Sequence, residues 1–347
     1  MEKDKKRIEF IDLAKGVCIL LVVLYHSGID VNCLISLRMP LYFVLSGMFF
    51  KMYGGFGDLL IRKINKLLVP FLFFYLGAYV LFYFLSLFAP SLLITQSKGI
   101  MDVFSQRELF NDPIWFLLCL FWSNILFSFA CTMASKMKIL LPLTIIVFSC
   151  LGWVLGESNI FVPLYLDGAL TSLPFFYFGY LLKNNSSLLN TNKYERWNMV
   201  FIILLCGLTY SASFMFNPSI AFLYNAVEGG IIAYFVAFCS VLALLLLCKK
   251  IKHIPFISYL GKYSIIILCT HHLIYRPIKL IAVDYFSGYS LGFIIFGVTI
   301  AISYFLIPLC IKYIPCFVAQ KDFLKIGDKR GPLSTGSSNL ESACEEN

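Results

Sequence analysis

Three ionisable residues share one apolar stretch near the start of the chain. Asp12, Lys15 and His26 all lie in the run from Ile8 to Gly28. At ~100° per residue, the eleven-residue step from Lys15 to His26 returns to within about 20° of the same helix face. At ~1.5 Å per residue the two stand about 16 Å apart along the axis, roughly half the hydrocarbon thickness of a bilayer. One helix thus directs a cation and an imidazole into one groove. A neutral imidazole can take a proton in a transition state or act as a nucleophile. An ammonium can bind an anionic substrate or the charge that develops on it. Asp12, three residues before Lys15, either holds that ammonium in place or serves as a helix-start carboxylate at the interface. The purely structural alternative is that Lys15 snorkels to the headgroups and His26 satisfies one interfacial hydrogen bond.

Other groups suited to chemistry are scattered through apolar surroundings. Glu228, in Val227-Glu228-Gly229-Gly230, sits near the outer end of a predicted span. Such a carboxylate suits a proton path or a site that hydrogen-bonds a polar ligand, or is merely interfacial. His271 and His272 are neighbours about 100° apart on a helix, so only one is expected to face a given site. His253 lies in the solvated Lys249-Lys250-Ile251-Lys252 cluster. Arg62, Lys63 and Lys66 form a basic group that can bind phosphate or simply anchor the chain at a cytoplasmic surface. With the histidines on different spans and no carboxylate at ligand spacing, no metal site is expected. The twelve cysteines include no CxxC pair, and Cys18, Cys119, Cys150, Cys206, Cys239, Cys269 and Cys310, single within apolar runs, read as core filler.

The elements that must position these groups follow from composition. Of 347 residues, 60% are apolar and only 14% charged, which excludes an ordinary soluble enzyme. Runs of about twenty apolar residues fall near 8–28, 34–51, 67–90, 112–133, 139–156, 166–183, 198–216, 220–248, 260–280 and 291–316. The expected fold is all-α, a polytopic transmembrane bundle of about ten spans with both termini cytoplasmic. That count puts 21 of the 28 lysines and arginines on the cytoplasmic side, while the outer segments hold five cations against seven carboxylates. The net charge of +9 is therefore topological and implies no nucleic-acid partner. The first run has the basic prefix of a signal sequence without a small-x-small cleavage pattern, and reads as a retained span. Residues 1–320 form one transmembrane domain, and 321–347 form a polar, disordered cytoplasmic tail with no catalytic role.

The wording around these residues is similar to that of a known family. Asp12-x-x-Lys15, ten residues, His26, then Pro40-Leu41-Tyr42-Phe43-Val44-Leu45-Ser46-Gly47, resembles the opening of the acyltransferase-3 family of integral-membrane O-acyltransferases. Lys63-x-x-Lys66-Leu67-Leu68-Val69-Pro70 resembles its Arg-x-x-Arg-Leu-Leu-x-Pro entry to the third span. Trp115-Phe116-Leu117, then Leu173-Pro174-Phe175-Phe176 with Gly179-Tyr180, and Gly261-Lys262-Tyr263-Ser264-x6-His271 continue the resemblance in order. The departure is lysine at 63 and 66, which keeps charge but loses the bidentate fork that arginine offers phosphate.

The resemblance implies an acetyl-CoA-dependent O-acetyltransferase of the inner (plasma) membrane that esterifies a hydroxyl of a cell-envelope or exopolysaccharide carbohydrate. His26, Lys15 and Asp12 would then carry the chemistry, with His26 as base or acyl carrier. Arg62, Lys63 and Lys66 would hold the donor, and Trp115, Glu228 and His271 would contact the acceptor. An extended pantetheine arm is about as long as the Lys15–His26 separation, so a donor from the cytoplasm can reach His26. The rival from another class is a transporter or flippase for a polar lipid-linked sugar or small anion, in which Lys15, His26 and Glu228 line a path.

Overall fold

A computed structural model describes residues 9–30, 34–88, 99–105, 107–135, 137–184 and 195–325. The basic prefix Lys3, Lys5, Lys6 and Arg7, together with Lys98, most of the 184–197 connection and the tail from 326, lie outside the described residues. The structure is all-α apart from one short hairpin. Its helices are α1 (Glu9–His26), α2 (Ile35–Met48), α3 (Phe56–Lys63), α4 (Val69–Phe88), α5 (Trp115–Met133), α6 (Leu140–Glu157) and α7 (Leu166–Asn184). They continue as α8 (Glu195–Phe216), α9 (Ile231–Ile251), α10 (Pro255–Lys262), α11 (Ser264–Ala282) and α12 (Gly288–Tyr313).

Each predicted apolar run contains most of a helix, although run 220–248 opens on a hairpin and run 260–280 is broken at Tyr263 between two helices. Among the described residues, seven helices are long and apolar enough to cross a membrane. The runs outside that group belong to α1, which carries Glu9, Asp12 and Lys15, to α2 with 14 residues, and to α7, which contains Asp167 and Lys183. Apolar side chains such as Leu72, Val80 and Leu87 on α4, and Leu143, Ile146 and Val154 on α6, are half or more exposed. A soluble fold would bury such rows, whereas acyl chains solvate them. The chain is a multi-pass membrane protein.

The helices divide into two compact units. The first contains α1, the N-terminal part of α2, α8 to α11 and most of α12. There α1 packs on α9, α10 and α11, and α8 packs on α9. The crossing of α1 with α10 is backbone to backbone. A Cβ on Gly16 would collide with the Ile257 carbonyl, and one on Gly261 with the Asp12 carbonyl. Glycine at both places lets the helices meet without side chains between them.

The second unit contains the rest of α2, α3 to α7 and the segment from Cys310 onward. Its α2–α7 crossing repeats the device, since a Cβ on Gly47 would strike the Phe176 carbonyl and one on Gly179 the Val44 carbonyl. At one end of this unit, Arg107 pairs with the fully buried Asp167 at 2.9 Å and donates to the Leu223 carbonyl at 3.0 Å. Beside it, Leu164 and Tyr165 take left-handed backbone (φ 62° and 61°), costly for residues with a Cβ. Tyr165 is thereby buried, its hydroxyl donating to the Arg107 carbonyl at 2.9 Å and its ring 5.8 Å from Trp115. At another place in the unit, Ile64–Leu68 widen into a π-helical turn between α3 and α4.

One predicted helix starts late. Residues 219–221 and 226–228 form a two-stranded hairpin, and α9 begins only at Ile231. Its turn and exit are built from left-handed residues, Asn225 (φ 52°), Gly229 (φ 85°) and Gly230 (φ 55°), which a helix cannot contain. The apolar run 220–248 hides this break because Ile220, Phe222 and Val227 are buried as thoroughly as core helix residues.

Candidate active site

The continuous helix α1 carries Lys15 and His26 in the register expected, with His26 as its last residue. Four rings gather there within the first unit. His26 lies 5.2 Å from His271 and 6.0 Å from His272, centre to centre, and 6.3 Å from Tyr275, whose plane is 27° from its own. His272 and Tyr275 are 5.0 Å apart. His26 is half-buried, whereas His271 and His272 are buried at 0% and 3% exposure, so His26 is the most open of the three.

The hydrogen bonding of His271 fixes its tautomer. Its Nδ1 lies 2.8 Å from the Ile267 carbonyl oxygen. A carbonyl only accepts, so Nδ1 carries the hydrogen and Nε2 of the neutral ring presents a lone pair. That Nε2 is buried and has no hydrogen-bond partner among the described residues. A lone pair in this condition is an acceptor held ready for a hydroxyl or a proton. Positive charge is also nearby: the Arg38 guanidinium stacks 3.9 Å above the ring of Tyr25, which itself lies 5.3 Å from the His26 ring. The arrangement brings together a partly exposed imidazole, a buried imidazole with a bare acceptor, and a cation of the kind that suits a developing negative charge.

The expectation that only one of His271 and His272 faces a given site is corrected. His26 sits over the sector between the two positions, and 100° on one helix is narrow enough for both rings to reach a third ring placed opposite. His272, Tyr275 and Arg38 are the members that sequence reasoning missed. Tyr275 follows His271 by four residues and His272 by three, a spacing that puts it on their face. Arg38 lies inside the second apolar run, where a charge is itself a signal.

The remaining expected residues lie as follows. Asp12 is buried at the α1–α10 crossing, and the Lys15 carbonyl accepts from the Tyr42 hydroxyl at 3.5 Å. Trp115 is buried in the second unit between Phe116 and Tyr165. Glu228 is on the second hairpin strand and exposed, not inside a helical span. Arg62 packs over the Tyr53 ring at 4.4 Å, Lys63 closes α3, and Lys66 is exposed on the π turn. Among the described residues Lys63 makes no ion pair, while Lys66 pairs with Asp322 at 3.2 Å. The described residues hold no trio of His, Cys, Asp or Glu arranged to bind a metal ion.

No curated protein and no solved structure matches the chain. A family model does: the acyltransferase domain of the acyltransferase-3 type matches residues 8–308, from the first turn of α1 nearly to the end of α12. The match takes in His26, His271 and the cationic turn at 63–66 alike, and over that length it shows that the chain belongs to the acyltransferase-3 family of membrane acyltransferases.

Proposed function

We propose that this membrane acyltransferase is an O-acetyltransferase of the inner (plasma) membrane, moving acetyl from acetyl-CoA to a hydroxyl of a cell-envelope or exopolysaccharide carbohydrate. The observation that carries the reading is the pairing of half-exposed His26 with buried His271, whose Nε2 lone pair has no partner among the described residues. In the proposed reaction the acceptor hydroxyl oxygen attacks the thioester carbonyl as its proton passes to His26. The C–S bond then breaks, and the departing thiolate takes up the proton from the imidazolium. Arg38 supplies positive charge for the oxyanion, while Lys15, about 16 Å from His26 along α1, supplies it for the donor, with Asp12 positioning Lys15. His271 accepts a hydrogen bond from the acceptor at Nε2.

Donor phosphates are assigned to the basic turn. Arg62 is already packed on Tyr53, so Lys63 and Lys66 are the cations proposed to bind them, as point charges. Trp115 is proposed as part of the acceptor's surroundings and Glu228 as a carboxylate that hydrogen-bonds sugar hydroxyls from its exposed strand. The test is transfer of radiolabel from acetyl-CoA by purified protein, combined with mass spectrometry of surface glycans from cells with and without the gene. Loss of a 42 Da increment on a glycan in the deletion strain is expected. An unchanged glycan profile with no label transfer in vitro contradicts the reading.

A further inference from the structure

The turn that carries Lys66 is held by the chain's own C-terminal segment. Asn65 is fully buried, and its amide pairs with the backbone of two residues beyond α12. Oδ1 accepts from the Phe323 and Leu324 amides at 3.1 and 2.7 Å, and Nδ2 donates to the Leu324 carbonyl at 2.8 Å. Phe317 stacks on Phe73 at 4.3 Å, and Phe323 lies 5.9 Å from Phe317. Residues 316–324 therefore form a strap across the start of α4. The next residue along the turn meets the same strap: Lys66 donates to the Ala319 carbonyl at 2.9 Å and lies 3.2 Å from the Asp322 carboxylate.

An ammonium has three donors, and two of those on Lys66 are directed at the strap. The two attachments differ in kind. Asn65 makes three short bonds in a buried place, whereas Lys66 and Asp322 each keep 46% of their side-chain surface exposed. The carboxylate can swing away into water while the strap stays fastened at Asn65. Asp322 has the charge and acceptor oxygens of a phosphate, placed on a cation that the donor itself is assigned to use.

We propose that Asp322 is an internal counter-ion that sets donor affinity: a CoA phosphate displaces it from Lys66, and Asn65 is the positioning residue that keeps it within reach. The inference rests on the reading of Lys66 as a phosphate ligand. It assigns a function to the first residues beyond α12, which the sequence leaves as a featureless tail.

The test is calorimetric binding of coenzyme A to the full-length protein at low ionic strength, where exposed charge pairs are least screened. Asp322→Asn, nearly isosteric and half-exposed, should lower Kd about two- to fivefold, the scale such a pair supports. Asp322→Lys should lower it further, and the effect of Asp322→Asn should vanish in a Lys66→Gln background. If Lys66→Gln weakens binding but the Asp322 variants do not tighten it, the strap is only an anchor, and the counter-ion role is wrong while the phosphate reading stands. If no variant at either position moves Kd, both fall together.

Discussion

The rings of His26 on α1 and His271 on α11 lie 5.2 Å apart, and the Nδ1 of His271 is committed to the Ile267 carbonyl. The two imidazoles are therefore unequal. One is only partly buried, and the other is fully buried with a set tautomer and a bare Nε2. His271→Asn places an amide nitrogen near Nδ1, so it should preserve the bond to Ile267 and the fold while removing the Nε2 acceptor. Acetyl transfer is expected to fall about 10²-fold with little change in thermal stability. Activity close to wild type, measured by label transfer, would make His271 a packing residue.

The basic turn yields a kinetic signature. Replacing Lys63 and Lys66 together with Gln should raise KM for acetyl-CoA far more than it lowers kcat, because phosphate contacts serve ground and transition states alike. Arginine at both positions should bind as well or better, given its fork of donors. Unchanged donor dependence combined with altered topology, read by cysteine accessibility, would leave the lysines as anchors.

The backbone crossing of α1 and α10 predicts a sharp steric requirement. Gly261→Ala would drive a methyl into the Asp12 carbonyl, at a cost of about 1–3 kcal/mol or a shift of α1 itself. Because α1 carries Lys15 and His26, activity should fall at least tenfold. Gly207→Ala on α8, with nothing within 4 Å, is the matched control and should behave as wild type. Equal activity of both variants, measured in the same membranes, would remove the crossing from the account.

The Arg107–Asp167 pair makes a prediction about stability. Asp167 is fully buried and Arg107 keeps 18% exposure, so Asp167→Ala strands a mostly buried guanidinium and should cost about 3 kcal/mol. The melting temperature should drop by several degrees in detergent, and Tyr165, bonded to the Arg107 carbonyl, should lose its protection along with Trp115. A melting curve and Trp fluorescence unchanged from wild type would contradict this.

Much of this arrangement is legible in the sequence because a bilayer leaves little choice. Apolar runs of span length must be helices, and the Lys15–His26 register follows from helix geometry alone. The family strings also gain physical content in the structure: Gly261 opens the α1–α10 crossing, and Gly47 with Gly179 opens the α2–α7 crossing. What the sequence withholds is tertiary. Nothing in Asn65 or Asp322 announces that residues 258 or so apart in the chain are clamped together. Glu228 looks like part of a helix because the hairpin around it is as apolar as a span, and its break is written only in Asn225, Gly229 and Gly230. The helix angle predicts that only one of His271 and His272 faces a given site, a rule that holds for a distant target and fails for His26, whose ring lies 5.2 and 6.0 Å from theirs.

The central claim is that His26 performs the acetyl transfer, and the most direct measurement is the rate at which purified His26→Ala protein moves label from acetyl-CoA to a carbohydrate acceptor. The variant should insert and express as wild type, since loss of one imidazole leaves α1 apolar, while transfer falls by ~10²–10⁴. Transfer at a rate near wild type would contradict the account and move the chemistry away from this cluster.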